Sequence, residues 1–290
     1  MLQIHAGLHK TGSTAIQVSL KEKGILLQPR FGGDVETIDR ALLEQAIEGQ
    51  KILSSEAIFG SHRNLYRIAP QRIASLFESG IPMKLIVFFR PPISWHQSLY
   101  IQQVQEGEAL SPTNYLETMS TERFFKLSRL VELLERAPQH VEVVARCYSQ
   151  PVHQFSEFVG IELTDFEANA SMNPVRAIVA SEMNADEELR PYVRRILQRQ
   201  IPSSAKPNKN VFSLSDSKLL RPAVKDWEKM LASTKIGRQI LASGSCDDIS
   251  VSRASQITKD DLREELAEIV RQMTLLWGPL AKKAPTPLPR

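Results

Sequence analysis

The chain reads HAGLHKTGSTAIQ over residues 5–17, and this stretch decides the fold. Apolar side chains over residues 1–6 predict a short buried strand. Gly7 and Gly12 permit a tight loop after the strand, and a helix is predicted to begin at Ser13. Backbone N–H groups at the start of a helix have no intrahelical partner and attract anions. The pattern therefore predicts a loop that binds phosphate.

This loop carries a lysine in an unusual place. The common nucleotide-triphosphate loop follows G-x-x-x-x-G-K-[ST], and Gly7 and Gly12 match the spacing of its glycines. Lys10, however, precedes the second glycine instead of following it. The sequence therefore predicts an anion site that differs from the ordinary triphosphate loop.

Composition limits the class of protein. The 290 residues have a net charge of +3 and are 42% hydrophobic, which favours a globular chain and argues against a dedicated nucleic-acid binder. The two cysteines, Cys147 and Cys246, fit neither a metal site nor a disulfide framework. The sequence shows no secretion signal and no apolar run of membrane-spanning length. We therefore expect a soluble, cytoplasmic protein with no membrane partner.

Short apolar runs alternate with helical patterns along the first two thirds of the chain. They predict an α/β fold, a P-loop-like doubly wound, mainly parallel sheet flanked by helices, with a helical C-terminal third. The predicted strands cover residues 2–6, 51–53, 84–89 and 141–145. The predicted helices cover residues 13–23, 70–78, 92–105, 122–136, 151–159, 187–200, 218–232 and 259–277. We expect one domain over residues 1–280, with a nucleotide-binding core over about 1–175, a helical extension over about 176–280 and a disordered tail over 281–290.

A second informative segment joins the strand at 84–89 to the helix at 92–105. Arg90 stands at the carboxyl end of that strand, where open α/β sheets bind ligands. Ser94 and Ser98 share one face of the following helix. A magnesium-dependent kinase is expected to place an aspartate at such a strand end, and this chain has an arginine. The segment predicts a site for a second phosphate, bound without a metal ion.

Together the two segments resemble the nucleotide signatures of sulfotransferases, over about residues 1–175. The resemblance implies 3′-phosphoadenosine 5′-phosphosulfate (PAPS) as donor, with adenosine 3′,5′-bisphosphate as product and no metal. It implies that the 5′-phosphosulfate is bound by Lys10, Thr11, Gly12, Ser13 and Thr14, and the 3′-phosphate by Arg90 and Ser98. Asn169 and Ser171 resemble a later nucleotide-contacting loop of bacterial, carbohydrate-type and tyrosylprotein-type members.

The catalytic base is predicted at the end of the second strand. Better-studied cytosolic sulfotransferases carry a histidine before the 3′-phosphate motif, whereas this chain has Glu56, similar to protein-tyrosine and several carbohydrate sulfotransferases. Glu56 is our candidate base and Lys10 the catalytic cation. A structural alternative is that Glu56 only stabilises the start of a helix. His9 and His96 are weaker candidates for the base, and His5 is expected in the core.

The expected reaction is transfer of a sulfuryl group to a hydroxyl, or as a second choice an amine, of a small-molecule, carbohydrate or peptide acceptor. A P-loop nucleotide or small-molecule kinase and an inactive nucleotide-binding module remain alternatives. Turn-rich composition predicts loops that gate the acceptor over residues 106–121 and 203–212. The sequence identifies neither the acceptor nor the oligomeric state.

Overall fold

The computed structural model describes residues 1–29, 37–61, 66–121, 126–165, 172–198, 209–213, 215–243 and 255–277. The chain divides into two compact units. The first unit comprises Met1–Pro92, Phe124–Asn169 and Pro222–Asp247, and the second comprises Ile93–Arg123, Ala170–Arg221 and Asp248–Arg290. A single domain over residues 1–280 stays a prediction.

The first unit contains an open sheet of five parallel strands. In chain order they are β1 (Leu2–Ala6), β2 (Leu26–Leu27), β3 (Ile52–Ser55), β4 (Met83–Phe89) and β5 (Val141–Cys147). Their order across the sheet is β2-β3-β1-β4-β5, and Ile4 pairs with Leu53 on one side and Leu85 on the other. The four predicted strands are confirmed, whereas β2 was not predicted. The α/β class with a parallel sheet is therefore confirmed.

Twelve α-helices fall within the described ranges. They are α1 (Ser13–Glu22), α2 (Arg40–Glu48), α3 (Ala69–Glu78), α4 (Pro92–Gln105), α5 (Pro112–Thr121), α6 (Leu127–Leu134), α7 (Pro151–Val159), α8 (Pro174–Asn184), α9 (Arg190–Gln198), α10 (Asp216–Ser233), α11 (Lys235–Ala242) and α12 (Lys259–Trp277). A 3₁₀ turn, Glu56–Phe59, follows β3. None of these helices combines the length and apolar character needed to cross a bilayer.

Helices cover both faces of the sheet in the first unit. Phe88 of β4 packs in one apolar cluster with Ile16 of α1 and Phe155 of α7. Phe89, the next residue, lies with its ring 6.5 Å from that of Trp227 in α10. Since consecutive strand residues point to opposite faces, α1 and α7 cover one face and α10 the other. Burial on both faces explains why β4 is apolar from residue 85 to 89.

The strand order places two loops beside each other. β1 and β4 are adjacent in the sheet. β3 lies on the other side of β1, and β5 lies on the other side of β4, so the strand order reverses direction between β1 and β4. Ligands of open parallel sheets bind outside the carboxyl ends of the strands at such a switch point. The loop over residues 7–12 begins at the carboxyl end of β1, and Arg90 directly follows the last residue of β4.

The second unit is mainly helical. Arg176 of α8 and Glu265 of α12 form a buried ion pair with 2.5 Å between Nε and Oε1. The rings of Tyr115 and Phe212 stack with their centroids 6.4 Å apart. A two-stranded parallel sheet joins β6 (Lys209–Asn210) to β7 (Ser255–Gln256). The prediction of a largely helical C-terminal third agrees with these elements.

Several local predictions need correction. Residues 112–121, predicted as part of a loop, form α5, and α6 begins only at Leu127. The helices α2, α8 and α11 were not predicted. Cys147 at the end of β5 is disulfide-bonded. The prediction of no disulfide was wrong for Cys147, because disulfide formation depends on proximity in the fold and not on sequence spacing.

Candidate functional site

The loop after β1 is held in one conformation by several hydrogen bonds. The Thr11 hydroxyl donates to the carbonyl oxygen of Leu8 at 2.6 Å. The His9 backbone N–H donates to the Tyr66 hydroxyl at 3.1 Å. Lys10 has a φ of 66°, in the left-handed region that lysine seldom adopts. These bonds fix the backbone of the predicted anion-binding loop before any ligand arrives.

Gly12 is required by its surroundings as well as by its backbone. Its φ is 80°, and it precedes the first residue of α1. A Cβ at this position would collide with the ring of Pro151 and would lie 3.0 Å from Cε2 of Tyr148. The residues that follow β5 therefore form a wall against the loop that follows β1.

Arg90 connects the loops after β1 and β4. Its Nη1 donates to the carbonyl oxygen of Lys10 at 3.1 Å. Its guanidinium carbon lies 5.0 Å from the centroid of the Tyr148 ring, within the range of a cation–π contact. The arginine predicted from the strand end and the lysine predicted from the glycine loop thus belong to one site.

Glu56 lies at the same site. It is the first residue of the 3₁₀ turn, where the side chain of Ser55 accepts a hydrogen bond from the Ala57 N–H at 3.2 Å. Burial raises the pKa of Glu56, while the Ser13 hydroxyl and the Lys10 ammonium act in the opposite direction. The carboxyl is therefore close enough to Lys10 and Ser13 to interact with both. Its position at a helix start also agrees with the structural alternative, so its role as base stays a prediction.

The first residues of α1 differ in exposure. Ser13 is buried, and its Oγ has no partner within ordinary hydrogen-bond geometry among the described residues. It lies near enough to the Glu56 carboxyl to lower its pKa. Thr14 is exposed. Because the hydroxyl proton of Thr11 is donated to Leu8, Thr11 can offer a ligand its backbone N–H but not that proton.

His5, His9 and His96, the three histidines considered from the sequence, have different surroundings. His5 is fully buried, its Nδ1 lies 2.8 Å from Oγ of Ser54, and burial lowers its pKa to about 3, which confirms its place in the core. His9 has Nδ1 3.1 Å from the Tyr66 hydroxyl, within the Lys10 loop. His96 belongs to the second unit, where burial lowers its pKa to about 3 and Nδ1 lies 3.2 Å from the hydroxyl of Tyr115.

The remaining predicted ligands stay predictions. Ser98 is buried in α4 and belongs to the second unit, whereas Arg90 belongs to the first. Asn169 and Ser171 lie outside the described residues. Two tyrosines of the site were not predicted from the sequence. Tyr66 contacts His9 in the loop over residues 7–12, and Tyr148 contacts Arg90. No sequence motif could have marked them, because each comes from a segment distant in sequence from that loop.

The described part of the chain contains no group of three or more His, Cys, Asp or Glu side chains placed to hold a metal ion. Comparisons with protein-family models, with curated protein sequences and with solved structures find no match for this chain.

Proposed function

We propose that this chain is a PAPS-dependent sulfotransferase with a P-loop-like fold. The observation that carries the proposal is the meeting of Lys10, Glu56 and Arg90 around one loop at the switch point of the sheet. Two cations suit the two phosphate groups of a doubly phosphorylated nucleotide, and a carboxylate suits a base for the acceptor hydroxyl. The resemblance of the two sequence segments to sulfotransferases supplies the identity of the nucleotide.

The residues of the loop fit an anionic donor. The helix α1 begins directly after Gly12, and its first N–H groups favour a bound phosphate through hydrogen bonds and the helix dipole. Lys10 adds a full positive charge beside them. These groups are fixed before binding, which is the condition under which charge stabilisation contributes most to catalysis.

PAPS supplies an activated sulfuryl group. In the proposed step, the oxygen of the acceptor hydroxyl forms a bond to sulfur, and the bond from sulfur to the bridging oxygen of the nucleotide breaks. Glu56 accepts the hydroxyl proton, and Lys10 neutralises the negative charge that develops on the departing phosphate. A pKa of Glu56 raised by burial makes the carboxylate a stronger base than an exposed one.

The test is transfer of ³⁵S from labelled PAPS to a panel of phenols, sugars and tyrosine peptides. We expect labelled product with the wild-type protein and a large loss with Lys10→Ala. A parallel reaction with γ-³²P-ATP and magnesium tests the kinase alternative. Labelled phosphate transfer without sulfate transfer would contradict the proposal. Binding of adenosine 3′,5′-bisphosphate with no transfer to any acceptor would favour the inactive binding module.

A further inference from the structure

We propose that Tyr148 is a positioning residue that holds both anion-binding loops of this site in place. The inference rests on the proposed function, because it concerns how the same site binds its nucleotide. Tyr148 lies outside every motif that the sequence offered. It contacts Arg90 and stands against Gly12, which belong to the loops after β4 and β1.

The backbone of Tyr148 is fixed by the sheet. β4 and β5 pair up to Phe89 and Cys147, the last residue of each strand. The N–H of Tyr148 then donates to the carbonyl oxygen of Phe89 at 2.6 Å. This bond continues the parallel pairing one residue beyond β5 and sets Tyr148 beside Arg90, which immediately follows Phe89.

The ring of Tyr148 faces two partners. Its face lies 5.0 Å from the guanidinium carbon of Arg90. Its Cε2 lies 3.0 Å from the place that a Cβ at Gly12 would occupy. The ring therefore limits both the rotation of the Arg90 side chain and the movement of the glycine at the start of α1.

Arg90 passes this restraint on to Lys10. Its Nη1 bonds to the carbonyl oxygen of Lys10, a residue whose backbone has a left-handed φ of 66°. Without the ring, the guanidinium loses a stacking partner and the hydrogen bond to Lys10 is less well oriented. Loss of the ring should therefore weaken binding at the 5′-phosphate loop as well as at Arg90.

The distinguishing experiment compares two nucleotides by calorimetry, adenosine 3′,5′-bisphosphate and adenosine 5′-monophosphate. Tyr148→Leu should raise the Kd for both nucleotides by about three- to tenfold, which corresponds to the energy of one cation–π contact. Tyr148→Phe keeps the ring and should stay within about twofold of wild type. Tyr148→Gln is a second ring-free variant for the case that the leucine variant folds poorly, because a polar side chain suits this half-exposed position.

Each outcome decides between specific accounts. An unchanged Kd for both nucleotides in the ring-free variants, or a loss confined to the bisphosphate, would overturn the role of Tyr148 at both loops. A wild-type protein that binds neither nucleotide would instead reject the proposed function itself. A purely structural role predicts that each Tyr148 variant weakens binding only in proportion to the fall in its melting temperature, whereas we expect Tyr148→Phe to bind like wild type whatever its melting temperature.

Discussion

The side chain of Arg90 donates a 3.1 Å hydrogen bond to the carbonyl oxygen of Lys10, across 80 residues of sequence. This bond joins the loops that follow two neighbouring parallel strands. It means that the guanidinium of Arg90 lies against the backbone of the loop that carries Lys10. Such pre-positioned charge requires little reorganisation when negative charge develops during a reaction.

Lys10→Ala should lower kcat for sulfuryl transfer by about 10²- to 10³-fold, because the charge that develops on the leaving phosphate loses its counter-charge. Lys21→Ala is the matched control, since Lys21 lies exposed in the last turn of the same helix that follows the loop. Steady-state rates with labelled PAPS measure both. A loss of similar size in both variants would show that Lys10 has no special place in the reaction.

Glu56→Gln should lower kcat by about 10²- to 10⁴-fold while the Kd for adenosine 3′,5′-bisphosphate changes little, since only the base is lost. In the wild-type enzyme the rate should rise with pH and level off, because the carboxyl must be ionised to accept a proton. Burial raises the pKa of Glu56, so the midpoint should lie above the ordinary glutamate value. Glu48→Gln, at an exposed position in α2, should leave the rate and its pH profile unchanged.

Glu56→Gln should raise the stability of the protein although it lowers the rate. A raised pKa of Glu56 in the folded protein means that ionised Glu56 opposes folding once the pH rises through that pKa. Glu56→Gln should therefore melt at a higher temperature than wild type near pH 8, with the difference vanishing below the ordinary glutamate pKa. A lower melting temperature for the glutamine variant near pH 8 would indicate that Glu56 serves the structure instead.

Gly12→Ala should destabilise the fold more than Gly24→Ala. Both glycines have a positive φ, so each substitution carries a backbone strain of about 1–2 kcal/mol. A Cβ at Gly24 meets no described atom within 4 Å, whereas one at Gly12 meets Pro151 and Tyr148. Overpacking adds about 1–3 kcal/mol at Gly12. Urea unfolding of the two variants measures the difference. Equal losses would show that Pro151 and Tyr148 move away from the new Cβ at little cost in free energy.

Glu265→Gln should cost about 3–5 kcal/mol in the free energy of unfolding. It removes the charge of the carboxylate whose Oε1 lies 2.5 Å from Nε of the buried Arg176. Asp260→Asn breaks the exposed ion pair with Arg263 and should cost about 0.5 kcal/mol or less. Urea unfolding provides both values. A small loss in the first variant would mean that water reaches Arg176.

Element ends that carry local signals were predictable from the sequence. β1, α4, α7 and α12 have the predicted bounds. Pro151 lies at the start of α7, and Gly160 ends it with a φ of 67°. Before α12, the Thr258 N–H donates to the Asp261 carboxylate at 2.7 Å, and the Asp261 N–H donates to the Thr258 hydroxyl at 3.2 Å, which is a capping box.

Other elements escaped prediction for physical reasons. Ser111 and Pro112 suggested a loop, yet the Ser111 hydroxyl accepts from the Asn114 N–H at 3.1 Å and Pro112 begins α5. The same residue types favour turns and helix starts. Most side chains of α8, including Arg176 and Asn184, are buried, so the helix lacks the polar face that a periodic pattern requires.

The candidate site was predictable in its charges but not in its supports. Lys10 and Arg90 stand out because a glycine loop and a strand end mark them. Tyr66 contacts His9 in the loop over residues 7–12, and Tyr148 contacts Arg90, only because the fold brings them together. Nothing in the sequence near either tyrosine indicates these contacts. Ser54 lies just beyond the predicted strand over residues 51–53, yet it is buried within β3, where its Oγ lies 2.8 Å from Nδ1 of His5.

The most direct test of the account is a calorimetric titration of the wild-type protein with adenosine 3′,5′-bisphosphate in the absence of magnesium, beside ATP with magnesium. We predict that the bisphosphate binds at least about tenfold more tightly, a difference of about 1.4 kcal/mol. Strong binding of ATP with magnesium, together with no binding of the bisphosphate, would contradict the proposed donor site.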